Sequence, residues 1–128
     1  MKALLDTHAL LWWLAGDEAL SEASREAIAD GDNEVFISAA SAWEIATKYR
    51  LGKLPGAALI VADISGVVAN QGFTELPITL RDGQAAGGLP AIHKDPFDRM
   101  LIAQAVAADL VIVSNETLFA AYGVARLW

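Results

Sequence analysis

The sequence predicts an α/β domain with a central, mainly parallel β-sheet. Three observations lead to this class: short apolar runs alternate with longer segments of helical periodicity, several runs are rich in β-branched residues, and glycine or proline stops separate them. No internal repeat, low-complexity tract or linker interrupts the chain. We therefore expect a single domain over residues 1–128, and a chain of this length can bury about 70% of its unfolded surface.

In the first half of the chain, glycines mark where the predicted helices end. Gly16 and Gly31 follow the first two helices, and Gly52 with Pro55 follows the third. Residues 57–70 are predicted as a helix, although their several Val and Ile residues make the choice between helix and strand ambiguous. The predicted elements, in order, are a strand at Lys2–Leu5 (KALL), a helix at His8–Leu14, a helix at Ser21–Asp30, a strand at Val35–Ser38 (VFIS), a helix at Ser41–Leu51 and a helix at Ala57–Asn70.

The second half continues the alternation. Pro77 follows a short apolar run, and a pair of glycines at 87 and 88 ends a short helix. The LVIVS run is strongly β-branched, as buried strands are. The predicted elements are a strand at Phe73–Leu76, a helix at Thr79–Ala86, a helix at Pro96–Ala108, a strand at Leu110–Ser114 and an edge strand at Val124–Trp128.

Four acids stand at positions that such a fold can bring together. In open α/β sheets, ligands bind outside the carboxyl ends of the strands. Asp6 directly follows the first strand, and Glu116 follows the last central strand. Glu44 lies early in the helix that follows the second strand, and Asp98 lies early in the helix that precedes the LVIVS strand. We therefore expect the four carboxylates to converge at one end of the sheet.

Helix capping is the competing explanation for each of these acids. Residues 95–98 (DPFD) form a good helix start, with an aspartate at the N-cap and proline at the first helical position. Residues 41–44 (SAWE) have the form of a capping box, in which the glutamate reaches back to the serine amide. Glu116 could favour the positive end of a short helix that follows it. Residues 79–82 (TLRD) have a similar capping pattern, and nothing else in the sequence suggests a functional site there.

Three features favour a joint site over capping alone. Asp6 follows an apolar strand and has no recognisable helix box. Asp95 can cap its helix without help, which leaves Asp98 free. Asp98 also precedes a nearly unbroken apolar face, so its carboxylate is expected close to the sheet end. Capping and metal binding are compatible, because a capped helix start also fixes where a ligand points.

Composition narrows the chemistry that such a cluster could perform. The chain has no cysteine and two histidines, which excludes disulfides, thiolate zinc sites and cysteine nucleophiles and argues against a histidine-rich zinc site. A net charge of −7 excludes a basic protein that coats DNA, but not a nuclease whose acids face bound cations. Carboxylates are the ligands that Mg²⁺ and Mn²⁺ prefer. No apolar run looks like an export signal or a membrane span, and the absence of cysteine fits a reducing cytoplasm.

Four segments together resemble one known family. LLDTHALLWWL, SAASAWEIATKYRLGKL, DPFDRMLIAQA and LVIVSNETLF resemble the PIN-domain nucleases, and most of all the VapC-type toxins of bacterial toxin–antitoxin pairs. The resemblance covers nearly the whole chain in the family's order and spacing. It implies a PIN-domain-like α/β/α sandwich, an acidic cluster that binds Mg²⁺ or Mn²⁺, and cleavage of RNA. It also implies a homodimer inhibited by a cognate antitoxin.

The resemblance assigns the metal-binding and catalytic roles to Asp6, Glu44, Asp98 and Glu116. The last of these stands where family members usually carry aspartate, so the longer side chain puts a second metal position in question. Thr7 corresponds to a hydroxyl residue that follows the first acid in the family.

Residues around the cluster have weaker assignments. Four cationic side chains could bind RNA phosphates, or could simply be solvated, with Lys48 pairing Glu44 at i,i+4. The tryptophans of the first helix suit the core on one side and a partner on the other, whereas Trp43 is expected in the core. The two histidines are interpreted as a helix-start or site-edge residue (His8) and a loop residue (His93). The four cationic residues are Lys48, Arg50, Lys53 and Arg99.

Two other functions compete with a divalent-metal-dependent endoribonuclease. A non-catalytic PIN-fold binding module with a degraded metal site would explain the glutamate at position 116. A small phosphotransfer domain is a weaker alternative, because the chain lacks both the early acidic pair of a response-regulator receiver and a second aspartate two positions after Asp6.

Overall fold

Five parallel strands form the central sheet. In this computed structural model, which describes residues 1–128, they are β1 (Lys2–Leu5), β2 (Glu34–Ser38), β3 (Thr74–Leu76), β4 (Val111–Val113) and β5 (Arg126–Leu127). Their order across the sheet is β3-β2-β1-β4-β5, and every pairing is parallel. The predicted α/β class with a central parallel sheet is therefore confirmed, although the last two strands are shorter than predicted.

Seven α-helices connect the strands. They are α1 (Thr7–Ala15), α2 (Glu22–Ala29), α3 (Ala39–Arg50), α4 (Ala58–Ala62), α5 (Ile64–Asn70), α6 (Leu80–Gly88) and α7 (Pro96–Ala108), with 3-10 turns at Pro55–Ala57 and Thr117–Tyr122. None of these helices is both long and apolar enough to cross a membrane.

One predicted helix is wrong, because the structure divides it into two helices. The segment from 57 to 70 is broken at Asp63, which ends α4 and becomes the N-cap of α5. Its carboxylate accepts a hydrogen bond from the amide of Gly66 at 2.9 Å, and a Cβ at that glycine would collide with it. An aspartate that can bond to a nearby amide competes with helix continuation, which explains the break.

Alternate residues of the strands feed two separate cores. Ala3 and Leu5 of β1 join a cluster that includes residues of α1, α2, α3 and α5 on one face of the sheet. Leu4, between them, packs on the other face against Leu101 and Ile102 of α7. This alternation follows the period of two in a strand and buries the sheet on both faces, as parallel sheets require.

Trp43 corrects a prediction about the core. Its side chain is 64% exposed and touches the ring of Phe97 edge-on, with centroids 4.9 Å apart. It lies on the outward face of α3, one residue before a buried glutamate, so the helical period turns it away from the core.

The strand order creates a switch point between β1 and β4. The chain progresses from β1 to β2 and β3 on one side, then crosses to β4 and β5 on the other. At such a point the two neighbouring connections leave the sheet in opposite directions, which opens a crevice at the carboxyl ends of the strands. Leu5 of β1 pairs in register with Val113 of β4, so the residues that follow them emerge side by side.

Candidate active site

Asp6 lies at this switch point. Its amide donates a hydrogen bond to the carbonyl of Val113 at 3.1 Å, and one carboxylate oxygen accepts from the amide of Ala9 at 2.8 Å. Asp6 is therefore the N-cap of α1, and the expectation that it has no capping role is wrong, because α1 begins at the next residue. The side chain is only 5% exposed. A carboxylate this deeply buried has lost most of its water.

Glu44 reaches the same crevice from α3. Ser38, the last residue of β2, caps this helix with its hydroxyl, so Ser41 already lies inside the helix and the proposed capping box is wrong. Glu44 is 4% exposed, and its Oε2 lies 2.5 Å from Nζ of Lys48, in the expected i,i+4 pair. Its other oxygen, Oε1, is buried and has no hydrogen-bond partner.

A hydroxyl pair lies beside these two acids. Thr7 Oγ1 donates a hydrogen bond to Ser41 Oγ at 3.0 Å, and both side chains are buried. The bond ties the start of α1 to the first turns of α3, which carry Asp6 and Glu44 respectively. The relative position of these acids is thus held by neighbouring polar contacts as well as by the sheet.

Asp98 enters from the first turn of α7. Asp95 caps that helix as predicted, since its Oδ1 accepts from the amides of Phe97 (2.8 Å) and Asp98 (3.1 Å). The carboxylate of Asp98 is therefore not used as a cap. Its Oδ2 lies 2.9 Å from Nε2 of His93.

Glu116 completes the set from the segment after β4. Its carboxylate accepts from the amide of Leu118 at 3.0 Å and so caps the 3-10 turn, in agreement with the capping alternative. It is half-buried, which makes it more exposed than Asp6 or Glu44.

All four predicted acids line one pocket of about 240 Å³. Its walls carry five carboxylates and one ammonium group, and they comprise Asp6, Thr7, His8, Trp12, Glu44, Lys48, Asp95, Asp98, Asn115 and Glu116. No three acids or histidines approach closely enough to hold one ion between them as they stand. Each of the four acids instead has a contact of its own, which a ligand would have to share or replace.

Burial and neighbouring charges shift the pKa values of three side chains in the pocket. Burial raises the pKa of Asp6, and the charge of Glu44 adds to this, against opposing hydrogen bonds from Ser114 and Ala9. Burial and then the charge of Asp95 raise the pKa of Asp98 to about 7. The hydrogen bond with Glu44 raises the pKa of Lys48. Burial thus favours the neutral form of both aspartates, and the neighbouring acids act in the same direction because negative charges crowd the pocket.

A hard divalent cation fits this donor set. Most of the available ligands are carboxylate oxygens, beside the Thr7 hydroxyl, the Asn115 amide and the His8 imidazole, and there is no thiolate. The unpartnered Oε1 of Glu44 is an acceptor with nothing to accept from, and a buried acceptor of this type costs about 1–3 kcal/mol. A cation would satisfy it and would remove the repulsion among the acids.

Two residues have roles that sequence reasoning missed. His93, interpreted as an ordinary loop residue, has a side chain only 11% exposed and lies against Asp98. Arg99, considered as an RNA ligand, donates instead to backbone carbonyls at the end of α6 and in the loop before α7, including those of Ala86 (2.9 Å) and Leu89 (2.7 Å). The HKDPFDR spacing was the available signal for His93, because it sets a histidine five residues before the acid.

The PIN domain family model matches residues 3–125 of the chain. This chain belongs to the PIN domain family. The expected family is thereby confirmed, and the four acids that were carried over by motif are now residues of one pocket in a PIN domain.

Similar proteins agree with this assignment. A 42-residue stretch, 33% of this PIN domain, is 57% identical to the Mycobacterium tuberculosis protein named Ribonuclease VapC16, and the match spans 28% of that protein. Among solved structures, VapBC2 from Rickettsia felis bound to a DNA fragment from its promoter superposes with a TM-score of 0.68 at 15% identity, over 99% of this chain and 98% of the other. DNA-bound VapBC from Salmonella typhimurium gives 0.67 at 18% identity, over 99% and 97%. At these identities the structures establish the shared fold.

Proposed function

We propose that this PIN domain is a divalent-metal-dependent endoribonuclease and the toxin of a toxin–antitoxin pair. Asp6, Glu44, Asp98 and Glu116 would hold Mg²⁺ or Mn²⁺ and serve as the catalytic acids. The observation that carries the proposal is the pocket itself, where carboxylates from four separate segments outnumber the one lysine. An RNA phosphate cannot approach such a pocket without a cation that reverses its charge.

Residues of the pocket would bind the cation and orient the groups around it. When bound, the cation would supply Lewis-acid stabilisation of charge on the phosphoryl oxygens and promote deprotonation of the attacking water. Asp6 and Glu44, both buried, would hold it against the sheet, and Thr7 with Ser41 would keep these two acids in register. Lys48 is about one-third exposed, at 32%, and could turn from Glu44 to an RNA phosphate once the carboxylate has a cation. No histidine base is required.

The partners are proposed from the relatives. The solved structures of similar fold include VapBC and FitAB assemblies with DNA, which supports a cognate antitoxin as the partner of this chain. Exposed Trp43, Leu59 and Leu80 leave apolar surface that a homodimer or an antitoxin could cover. We propose action in the cytoplasm, where a chain without cysteine loses nothing to the reducing environment. Growth arrest on expression, relieved by the neighbouring reading frame, would test the pairing.

RNA cleavage by purified protein tests the enzymatic proposal. We expect cleavage with Mn²⁺ or Mg²⁺, none with EDTA, and a loss of at least about 100-fold in Asp6→Asn and Asp98→Asn. Asp82→Asn is the matched control, because Asp82 is also an aspartate in the first turn of a helix but lies in a capping box outside the pocket. Undiminished cleavage in both pocket variants would overturn the site. Absence of both Mn²⁺ binding and cleavage in the wild type would favour a non-catalytic binding module.

A further inference from the structure

We propose that His93 is a positioning residue that holds the Asp98 carboxylate ready for the metal ion. This inference deepens the proposed function and rests on it. The central observation is that Nε2 of His93 lies 2.9 Å from Oδ2 of Asp98, in a side chain that is only 11% exposed. No other polar group contacts that carboxylate, so His93 is its one local restraint.

The tautomer of His93 is set by its second nitrogen. Nδ1 accepts a hydrogen bond from the amide of Asp95 at 3.3 Å, so it carries no proton in this arrangement. Nε2 must then carry the ring proton and faces Asp98 with a donor. The contact is within ion-pairing distance without the alignment of a hydrogen bond.

The backbone of His93 is anchored independently of its ring. Its amide donates to the hydroxyl of Tyr122 at 2.8 Å, and that hydroxyl donates to the carbonyl of Pro90 at 2.7 Å. Its carbonyl accepts from Arg99 at 3.0 Å, and its ring lies against Phe119, with centroids 6.1 Å apart. The loop is thus fixed by groups that do not touch Asp98, and the imidazole is left to act on the acid.

This arrangement has the form of an outer contact to a metal ligand. A carboxylate that binds a cation through one oxygen is oriented by a donor on the other oxygen, and removing such a donor typically weakens metal affinity about 10–100-fold. Asp98 needs such a restraint more than Asp6 does, because the Ala9 amide already holds Asp6. The chain supplies the donor from a residue just outside α7.

Two substitutions at position 93 separate the two ring nitrogens. His93→Gln places an amide donor near the position of Nε2 and keeps the reach to Asp98. His93→Asn places its amide near Nδ1, where it can accept from Asp95 but cannot reach Asp98. Tyr122→Phe is the control for the loop, since it removes the hydroxyl that anchors the His93 backbone and leaves the imidazole unchanged.

Calorimetric titration of the metal-free proteins with Mn²⁺ tests the inference. We expect the dissociation constant to rise about 10–100-fold in His93→Asn and to stay close to the wild-type value in His93→Gln and Tyr122→Phe. Thermal unfolding of each variant checks that it is folded at the titration temperature. Asp98→Asn gives the value for loss of the acid itself.

The outcomes distinguish this inference from the proposed function. If the wild type binds Mn²⁺ and His93→Asn binds it equally well, His93 has no positioning role although the metal site stands. Equal weakening in His93→Asn and Tyr122→Phe would show that the loop, and not the imidazole, supports the site, and would also overturn the inference. If the wild type binds no Mn²⁺, the metal site and this role fail together.

Discussion

Asp98→Asn should stabilise the metal-free protein at neutral and alkaline pH, although it should destroy activity. The raised pKa of Asp98 means that the folded state holds the ionised carboxylate at a cost, mainly because burial removes its water and Asp95 repels it. An asparagine has nearly the same shape and no charge. Asp98→Asn, which removes a proposed metal ligand, therefore also removes a source of instability in the absence of metal.

The magnitude follows from the pKa. A rise from 3.8 to about 7 corresponds to about 4 kcal/mol at 1.36 kcal/mol per unit. Because the side chain is 24% exposed and solvent screens its neighbours, we take about half of that value. The loss of a favourable first-turn charge on α7 subtracts about 0.3–1 kcal/mol. The expected gain is about 1–2 kcal/mol, or a rise in Tm of about 4–8 °C for a domain of this size.

The gain should depend on pH in a defined direction. Since the pKa of Asp98 is higher in the folded than in the unfolded chain, the folded state binds more protons between about pH 4 and pH 7. This group's contribution to wild-type stability is full below pH 4 and is lost as the pH rises to 7. The advantage of Asp98→Asn should therefore be clearly smaller at pH 5 than at pH 8, where it reaches its maximum, and should vanish only below about pH 4.

Thermal unfolding in EDTA at pH 5 and pH 8 measures the effect. Asp82→Asn should have the opposite sign, because its amide oxygen can still accept from the Thr79 amide but the favourable first-turn charge is lost, at a cost of about 0.3–1 kcal/mol. Adding Mn²⁺ at about 100 times its dissociation constant should stabilise the wild type by about 2.7 kcal/mol and the Asp98 variant by much less. A lower Tm for Asp98→Asn at pH 8, or an equal gain at both pH values, would refute this reasoning.

Three further predictions concern the surroundings of the pocket. Arg99→Lys should lower the free energy of unfolding by about 1–3 kcal/mol in urea titrations, because one ammonium group cannot replace the several hydrogen bonds that Arg99 donates to carbonyls such as those of Ala86 and Leu89. A change under about 0.5 kcal/mol would count against that role. Glu116→Gln should keep the cap on Leu118 and hence the wild-type Tm, while it weakens Mn²⁺ binding; unchanged binding would remove Glu116 from the metal set. Trp43→Ala should cost at most about 1.5 kcal/mol, against about 2–5 for the fully buried Leu101→Ala, and equal losses would contradict the exposure of Trp43.

Local patterns were sufficient to predict the elements and the fold class. Apolar runs such as VFIS are strands because a parallel sheet covered on both faces accepts only apolar residues along them. The order of the strands could not be obtained this way, since pairing joins segments as distant as Leu5 and Val113. The break at Asp63 in the helix predicted over residues 57–70 was missed, because the helical spacing of apolar residues continues on both sides of it. The competing hydrogen bond from the Gly66 amide to the Asp63 side chain is visible only in the structure.

The acidic pocket was predictable because its members occupy the ends of strands and the starts of helices. Those positions share one edge in any fold of this class, so Asp6 and Asp98 could be brought together without knowledge of the strand order. Glu44 was also predicted for the pocket, although the capping box considered for it was wrong, because α3 begins at Ala39 and Ser38 caps it. The spacing of HKDPFDR placed His93 near Asp98 in sequence, but their contact could not be predicted from it, because the contact depends on the conformation of residues 93–98.

The most direct test of the proposed metal site is crystallographic. Crystals grown with Mn²⁺ and measured near the manganese absorption edge should show an anomalous peak in the pocket, within coordination distance of Asp6, Asp98 and the unpartnered Oε1 of Glu44. A well-diffracting crystal saturated with Mn²⁺ whose only peaks lie outside this pocket would contradict the account.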